Sequence, residues 1–225
     1  MSDLFNNENI SDALEGPLAD KIRPKSLDEV IGQNHLFGEE GPLQNMITSG
    51  VFSSIILWGP PGVGKTTIAR LLAENSSSHF EQLSAIFTGV GDLKKVFEAA
   101  KIRHTNGKKT IIFVDEIHRF NKSQQDSFLP FLEDGTIILI GATTENPSFE
   151  LNSAILSRVQ ILVLERLSTP DLAKLLERAE IILGSQINID IDAKTELLKI
   201  ADGDGRALLN LIENIISWKI SNPLT

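Results

Sequence analysis

The sequence predicts an α/β domain built on a parallel sheet, followed by a small all-helical domain. Three observations carry that expectation. Short apolar runs fall near 55–58, 80–84, 110–115, 136–142 and 160–164, and helical stretches separate them near 65–75, 91–103, 122–133 and 152–157. Strands alternating with helices fold into a parallel sheet with helices on both faces, and right-handed crossovers limit the topology to a few choices. Ile111-Ile112-Phe113-Val114 is apolar without alternation, the pattern of a strand covered on both sides. After Glu165 the pattern turns to helices alone, which sets a domain boundary near Glu165–Ser168.

Residues 1–12 read as a disordered polar tail, 13–165 as the α/β core and 166–225 as the helical domain. The start, Met1-Ser2-Asp3-Leu4-Phe5-Asn6-Asn7-Glu8-Asn9, lacks the basic and apolar regions of a signal peptide. A turn-rich lead-in follows, with one helix near Leu43–Ser49. Ile55-Ile56-Leu57-Trp58 is the first strand, and Ser76-Ser77-Ser78 reads as a loop. In the helical part, Thr169 reads as an N-cap with Pro170 at the first helical position. Leu172, Leu175, Leu176 and Ala179 then recur at helical spacing. A second helix is expected to start at Asp192 as N-cap and to carry Leu197, Leu198 and Ala201. A third carries Leu208, Leu209, Leu211, Ile212, Ile215 and Ile216. Plain core packing accounts for these apolar stripes.

Between the first strand and the first long helix lies Gly59-Pro60-Pro61-Gly62-Val63-Gly64-Lys65-Thr66, a full G-x-x-x-x-G-K-[ST] pattern. A glycine-rich turn there presents backbone N–H groups at the positive end of a helix, which suits phosphate. Lys65 would reach the β and γ phosphates of a nucleotide, the Thr66 hydroxyl would ligate Mg²⁺, and Thr67 completes the cradle in the first helical turn. The second half of such a site is Asp115-Glu116, at the carboxyl end of its apolar strand, where ligands bind in open α/β sheets. Asp115 fits a metal carboxylate, and Glu116 fits the group that polarises an attacking water.

The next strand, Thr136-Ile137-Ile138-Leu139-Ile140, runs into Gly141-Ala142-Thr143-Thr144-Glu145-Asn146-Pro147. Thr144 is the candidate γ-phosphate sensor, with Thr143 and Asn146 as rivals; all are also ordinary turn residues. Arg158 reads either as a surface salt-bridging residue or as an arginine that enters a neighbour's site. Arg206, at the start of a late helix, reads either as a surface ion-pair residue or as a γ-phosphate contact in its own subunit.

The chain has 225 residues, 41% of them hydrophobic, enough for one α/β domain and a small satellite. It contains no cysteine, which excludes disulfides, zinc–thiolate sites and a thiol nucleophile. No apolar run approaches the roughly 18 residues of a membrane span, so a cytoplasmic protein with no membrane contact is expected. The net charge of −9 argues against a passive nucleic-acid coat. One segment runs the other way: Lys94, Lys95, Lys101, Arg103, Lys108 and Lys109 outnumber Asp92 and Glu98. It suits phosphate contact or simply a solvated helix face.

The order of these motifs looks like an AAA+ ATPase of the clamp-loader and RuvB-like group. Two runs are more specific. Asp115-Glu116-Ile117-His118-Arg119-Phe120-Asn121-Lys122-Ser123-Gln124-Gln125-Asp126 and Gly141-Ala142-Thr143-Thr144-Glu145-Asn146-Pro147-Ser148-Phe149-Glu150-Leu151-Asn152 resemble the replication-associated recombination protein A family (RarA, also called MgsA), whose eukaryotic relatives are the Werner-helicase-interacting ATPases. The resemblance covers roughly residues 13–217. It implies a sheet order of 5-1-4-3-2 in an αβα core with a helical lid. It implies ATP and Mg²⁺ as ligands, hydrolysis at interfaces of a homo-oligomer, Arg158 as a finger acting on a neighbour and Arg206 as a second sensor. It implies that Leu18, Ala19, Arg23, Val30, Ile31 and Gln33 lie near adenine and ribose.

The resemblance further implies work at stalled forks and so a place at the nucleoid, stimulation by duplex ends or single-stranded gaps in DNA, and contact with single-stranded-DNA-binding protein. It assigns His118, Arg119 and Phe120 no role; they read as a structural loop or as a link from ATP state to DNA. Members of the family are considerably longer, so the chain is expected to be a truncated portion or a short variant. The lid motif carries one arginine, Arg206, where relatives often carry two in a row. Two rival functions stay open: a RuvB-like branch-migration motor, whose winged-helix domain has no counterpart here, and a nucleotide-dependent scaffold for replication proteins.

Overall fold

A computed structural model describes residues 16–217. The tail expected at 1–12 lies outside them. Along the chain run α1 (Leu18–Lys21), a 3₁₀ turn (Leu27–Glu29), α2 (Asn34–Phe37), α3 (Pro42–Ser49), β1 (Ile55–Trp58), α4 (Lys65–Asn75), β2 (His79–Ser84), α5 (Val90–Thr105) and β3 (Thr110–Asp115). A second 3₁₀ turn (Ile117–Arg119) precedes α6 (Lys122–Asp126), α7 (Leu129–Glu133), β4 (Ile137–Thr143), α8 (Pro147–Glu150), α9 (Ser153–Leu156) and β5 (Gln160–Val163). The chain then continues into α10 (Thr169–Leu183), α11 (Ile191–Ala201) and α12 (Gly205–Ser217).

Contacts divide the chain into two units. The sheet unit comprises Gln33–Pro60 and Gly64–Glu165. The strand order is β2-β3-β4-β1-β5, every pairing is parallel, and this is the 5-1-4-3-2 order read from the other edge. The apolar runs explain the centre: β3 is buried through Val114 and all of β4 is buried. Ile56, Ile112, Val114 and Leu139 pack with Leu93, Phe97, Phe128 and Ile155 on one face. Phe97 meets Phe128 edge-on at 5.0 Å and stacks on Phe131 at 4.4 Å. The β5 edge carries exposed Ile161 and Val163. Here the Gln33 amide donates to Glu165 O and accepts from Glu165 N, copying a strand's pairing, while His35 Nε2 lies 2.8 Å from Val163 O.

One expected helix is two. The stretch 122–133 breaks at Ser127 and restarts at Leu129. Pro130 has no N–H and would clash with the carbonyl four residues back in a continuous helix. The break also lets Phe128 turn fully inward. The lead-in holds more structure than expected, because helices of three or four residues are too short for a hydrophobic period to register.

The helical unit comprises 16–32, Pro61–Val63 and 166–217. Its core is Leu172, Leu176, Ala179, Leu197, Leu198, Ala201, Leu208, Leu209 and Ile212, joined by Leu18 and Ile22. Two caps differ from expectation. Ser168, not Thr169, caps α10: its hydroxyl accepts from Asp171 N while Asp171 bonds back to Ser168 N, a complete capping box. Asp190, not Asp192, caps α11, because its carboxylate reaches Ala193 N.

Candidate functional site

The strand order sets the geometry of the site. β4 lies between β3 and β1. The loop after β1 and the Asp-Glu pair after β3 therefore flank the end of β4, at the carboxyl edge of a parallel sheet. Thr143 at that end is fully buried and ties the pieces together. Its carbonyl accepts from Gly59 N at 3.1 Å, which anchors the start of the glycine-rich loop to β4. Its hydroxyl lies 2.8 Å from His118 Nδ1 and also bonds the backbone of Glu145.

In the loop itself, glycine is required at two kinds of position. A Cβ on Gly59 would lie 2.5 Å from Leu164 O, so only glycine lets β1 leave the sheet beside the end of β5. Gly62 and Gly64 have φ of +70° and +96°, the left-handed region that favours glycine. Gly62 O accepts from Gly205 N within the helical unit, and the side chain of Asp204 fills the space a Cβ on Gly62 would need. Lys65 is buried at the start of α4, and its Nζ donates to Gly59 O and Pro60 O at 2.7 Å each. The ammonium thus already sits inside the curl of the loop. Thr66 and Thr67 follow in the first turn, both half-buried.

Asp115 is the last residue of β3, and Ala85 N bonds its carbonyl. Glu116 adopts φ 53°, ψ 47°, a left-handed conformation that costs a non-glycine residue about 1–2 kcal/mol. Its carbonyl is held by Arg119 N at 2.8 Å, and its Oε2 lies 3.3 Å from His118 Nδ1. The donors offered to a cation are an alcohol, Thr66, and a carboxylate, Asp115. These hard oxygens fit Mg²⁺, which keeps several waters and takes few protein ligands. Among the described residues no cluster of three or more His, Cys, Asp or Glu is placed to hold a metal.

Thr144 follows buried Thr143 and is half-buried; Asn146 is taken up as the cap of α8, accepting from Ser148 N. Arg158 lies just beyond α9. Its guanidinium donates to Glu133 Oε1 at 2.5 Å, Ser157 Oγ at 2.9 Å and Ala154 O at 2.8 Å. Arg206 is exposed in the first turn of α12. Of the residues expected near adenine and ribose, Leu18 is in the core of the helical unit and its N–H donates to Glu213. Arg23 pairs with Asp20, Ala19 packs at the edge of that core, Val30 and Ile31 are half-buried, and the Gln33 amide is engaged by Glu165.

The basic segment is largely a structured helix face: Lys95 pairs with Asp92, Arg103 with Glu81, and Lys101 lies over the Phe131 ring. Two residues of the site were missed from sequence. Thr143 is read from sequence only as a rival sensor, and His118 only as part of a structural loop or a link from ATP state to DNA. The one signal for both was their place at two strand ends, which says nothing until β3 and β4 are known to be neighbours.

Residues 55–167 match the model of the ATPase family associated with various cellular activities (AAA). Replication-associated recombination protein A of Coxiella burnetii is 49% identical over 209 residues, 91% of this chain and 47% of that protein. The Escherichia coli K12 protein of the same name is 45% identical, again over 91% of this chain and 47% of its own length. ATPase WRNIP1 of Dictyostelium discoideum is 44% identical over 89% of the chain and 23% of its own length. The chain spans about half the length of the bacterial relatives it matches. Among solved structures, the Thermotoga maritima RuvB Holliday junction branch migration motor superposes with a TM-score of 0.74. It is 28% identical, over 91% of this chain and 70% of that one.

Proposed function

Because the chain belongs to the AAA family of ATPases, we propose that it hydrolyses ATP at the loop Gly59–Thr66 and the end of β3, and that this turnover serves replication-associated recombination. The observation that carries this reading is the convergence on Thr143, where the start of the loop and the Asp-Glu turn meet the end of one central strand.

The steps follow from the side chains. Phosphates bind the loop through the backbone N–H groups of Gly62, Val63, Gly64, Lys65 and Thr66, and Pro60 and Pro61 stiffen the approach. Lys65 exchanges its two carbonyl partners for β and γ phosphate oxygens. Thr66 and Asp115 would hold Mg²⁺, which would supply neutralising charge beside those phosphates. Glu116 orients a water for in-line attack and takes up its proton. Thr144 bonds the γ-phosphate. Arg206 acts as a second sensor, and Leu18, Ala19, Arg23 and Ile31 border the adenine and ribose. Arg158 of one copy completes the site of a neighbour in a homo-oligomer, stabilising charge on the transferring phosphoryl group.

On this reading the output of turnover is remodelling or strand separation at DNA ends or single-stranded gaps, in company with single-stranded-DNA-binding protein. These activities rest on the names of the relatives and on the two sequence runs that resemble their family. A RuvB-like branch-migration role is the second reading, favoured by the likeness to the Thermotoga maritima motor. A scaffold that uses ATP only as a timer would hydrolyse without touching DNA.

The test is steady-state ATP hydrolysis with and without gapped or blunt-ended duplex, beside nucleotide binding. Lys65→Ala is expected to abolish turnover. Glu116→Gln is expected to bind ATP normally and lose roughly 10²–10⁴-fold in turnover. Wild-type turnover by Glu116→Gln would remove Glu116 from the mechanism. Cross-linking to DNA in the presence of ATP separates remodelling from the scaffold role.

A further inference from the structure

His118 is one of four histidines in the chain, and its side chain is 8% exposed. It sits in the 3₁₀ turn Ile117–Arg119, which is seated on β4 by an adjacent glycine. A Cβ on Gly141 would lie 3.0 Å from Ile117 Cδ1 and 3.2 Å from Ile117 Cγ2, so the bare glycine is what admits Ile117. That fit brings the imidazole to the end of β4. His118 Nδ1 is then 2.8 Å from Thr143 Oγ1 and 3.3 Å from Glu116 Oε2.

The hydrogen inventory assigns the tautomer. Thr143 Oγ1 carries one proton and two lone pairs. It lies 3.2 Å from Glu145 O, an acceptor only, and 3.0 Å from Glu145 N, a donor. With its proton on Glu145 O, the hydroxyl must accept from Nδ1. A bare Nδ1 would also set its lone pair against the Glu116 carboxylate. Both neighbours therefore call for a proton on Nδ1. That N–H is directed at Thr143, and the Glu116 carboxylate lies 3.3 Å from the same nitrogen, within reach of its positive edge.

We infer that His118 is a positioning residue for hydrolysis: held on Thr143, its protonated Nδ1 edge attracts one carboxylate oxygen of Glu116 at 3.3 Å and links that carboxylate to the end of β4. The inference rests on the reading of Glu116 as the group that orients water. With Oε2 held, Oε1 is left to face the water in one direction. The link also makes the orientation of Glu116 depend on Thr143, whose neighbour Thr144 is the proposed γ-phosphate contact and whose carbonyl holds the start of the loop. The left-handed backbone at Glu116 is consistent with a side chain aimed for a purpose, since such strain collects at functional positions.

Three readouts test this. Steady-state kinetics compare His118→Leu, which removes the donor, with His118→Asn, whose amide N–H can stand where Nδ1 stood. His118→Leu is expected to lose about ten- to a hundredfold in kcat, with KM for ATP and the melting temperature near wild type. His118→Asn should recover most of that loss. Thr143→Val should lower kcat in the same direction and add little in the His118→Leu background. Long-range ¹H–¹⁵N NMR of histidine-labelled protein reads the tautomer without any turnover, the His118 signal being the one missing in His118→Asn. A proton on Nδ1 is expected.

The inference is overturned by wild-type kcat in His118→Leu, by an Asn variant no faster than the Leu variant, or by a proton on Nε2 instead. Glu116→Gln keeps the two levels apart. If it turns over normally, the role of Glu116 fails and this inference fails with it. If it is inactive while His118→Leu is not, only the role of His118 fails.

Discussion

The carboxylates at the end of β3 and the arginine beyond α9 are oriented by different means. Asp115 and Glu116 follow a strand whose residues Thr110 to Val114 are all buried, and their backbones are held by bonds from Ala85 N and Arg119 N. Arg158 has a 35% exposed side chain, and its direction comes from Glu133, Ser157 and the end of a four-residue helix. A group rooted at the end of a buried sheet, and met there by buried side chains such as His118, keeps its place unless that framework changes. A group aimed by an exposed ion pair is released for about 1 kcal/mol or less. The carboxylates are thus a property of the single chain, whereas Arg158 is free to change partner when a stronger anion, such as a phosphate on a neighbour, is presented.

The largest effect that could break this contrast is at Arg158. Arg158→Ala is expected to lower turnover by roughly 10³-fold or more, the range of an arginine finger, while ATP binding by the isolated chain is kept. Mixing it with Lys65→Ala should restore part of the activity, because each variant supplies what the other lacks. Unchanged turnover in Arg158→Ala would return that residue to a surface ion pair. Glu133→Gln sharpens the point: loosening the arginine should change turnover only a few-fold.

The same contrast explains what could be read from the chain. Strands whose burial is complete are written as unbroken apolar runs, so β1, β3 and β4 and the residues at their ends were legible, and with them the loop, Asp115 and Glu116. The two specific runs carried the family and, through it, the strand order. Partners chosen across the fold were not legible. His118 lies 25 residues from Thr143, and Arg158 lies 25 from Glu133; each pair needs the sheet order or a helix packing before it exists. Pro130 was a readable break that the apolar pattern of 122–133 concealed, since Phe128 and Phe131 continue to face inward across it. At Ser168 and Thr169 two adjacent cap-forming residues competed. The decision lay in the carboxylate three positions after Ser168, which can bond back to its N–H.

The helical unit allows the contrast to be tested on stability. Ser168 is a polar group tied to backbone N–H at a helix start, in a complete box with Asp171. Ser168→Ala is expected to cost about 1 kcal/mol, read as a lower denaturant midpoint with an unchanged slope. Loss of the hydroxyl leaves Asp171 N at the first turn without its side-chain acceptor.

The smallest effect belongs to the ion pair of the same unit. Glu29 accepts from Lys25 N at 3.0 Å and from the guanidinium of Arg178, whose other nitrogen donates to Glu29 O. The Lys25 N–H first, and the Arg178 guanidinium second, hold the Glu29 carboxyl below its ordinary 4.5. A carboxyl lowered on folding adds stability that is fully present above the ordinary value and is lost as pH falls through it toward the folded value. Glu29→Gln should therefore be less stable than wild type at neutral pH, by less than Ser168→Ala. The gap should narrow as pH falls through the ordinary carboxyl value and close below the lowered folded one. Chemical denaturation at several pH values reads it. A gap that persists at low pH would mean that Glu29 acts through packing rather than charge. A gap larger than that of Ser168→Ala would mean that, in this unit, an exposed ion pair outweighs a backbone cap, against the order the contrast requires.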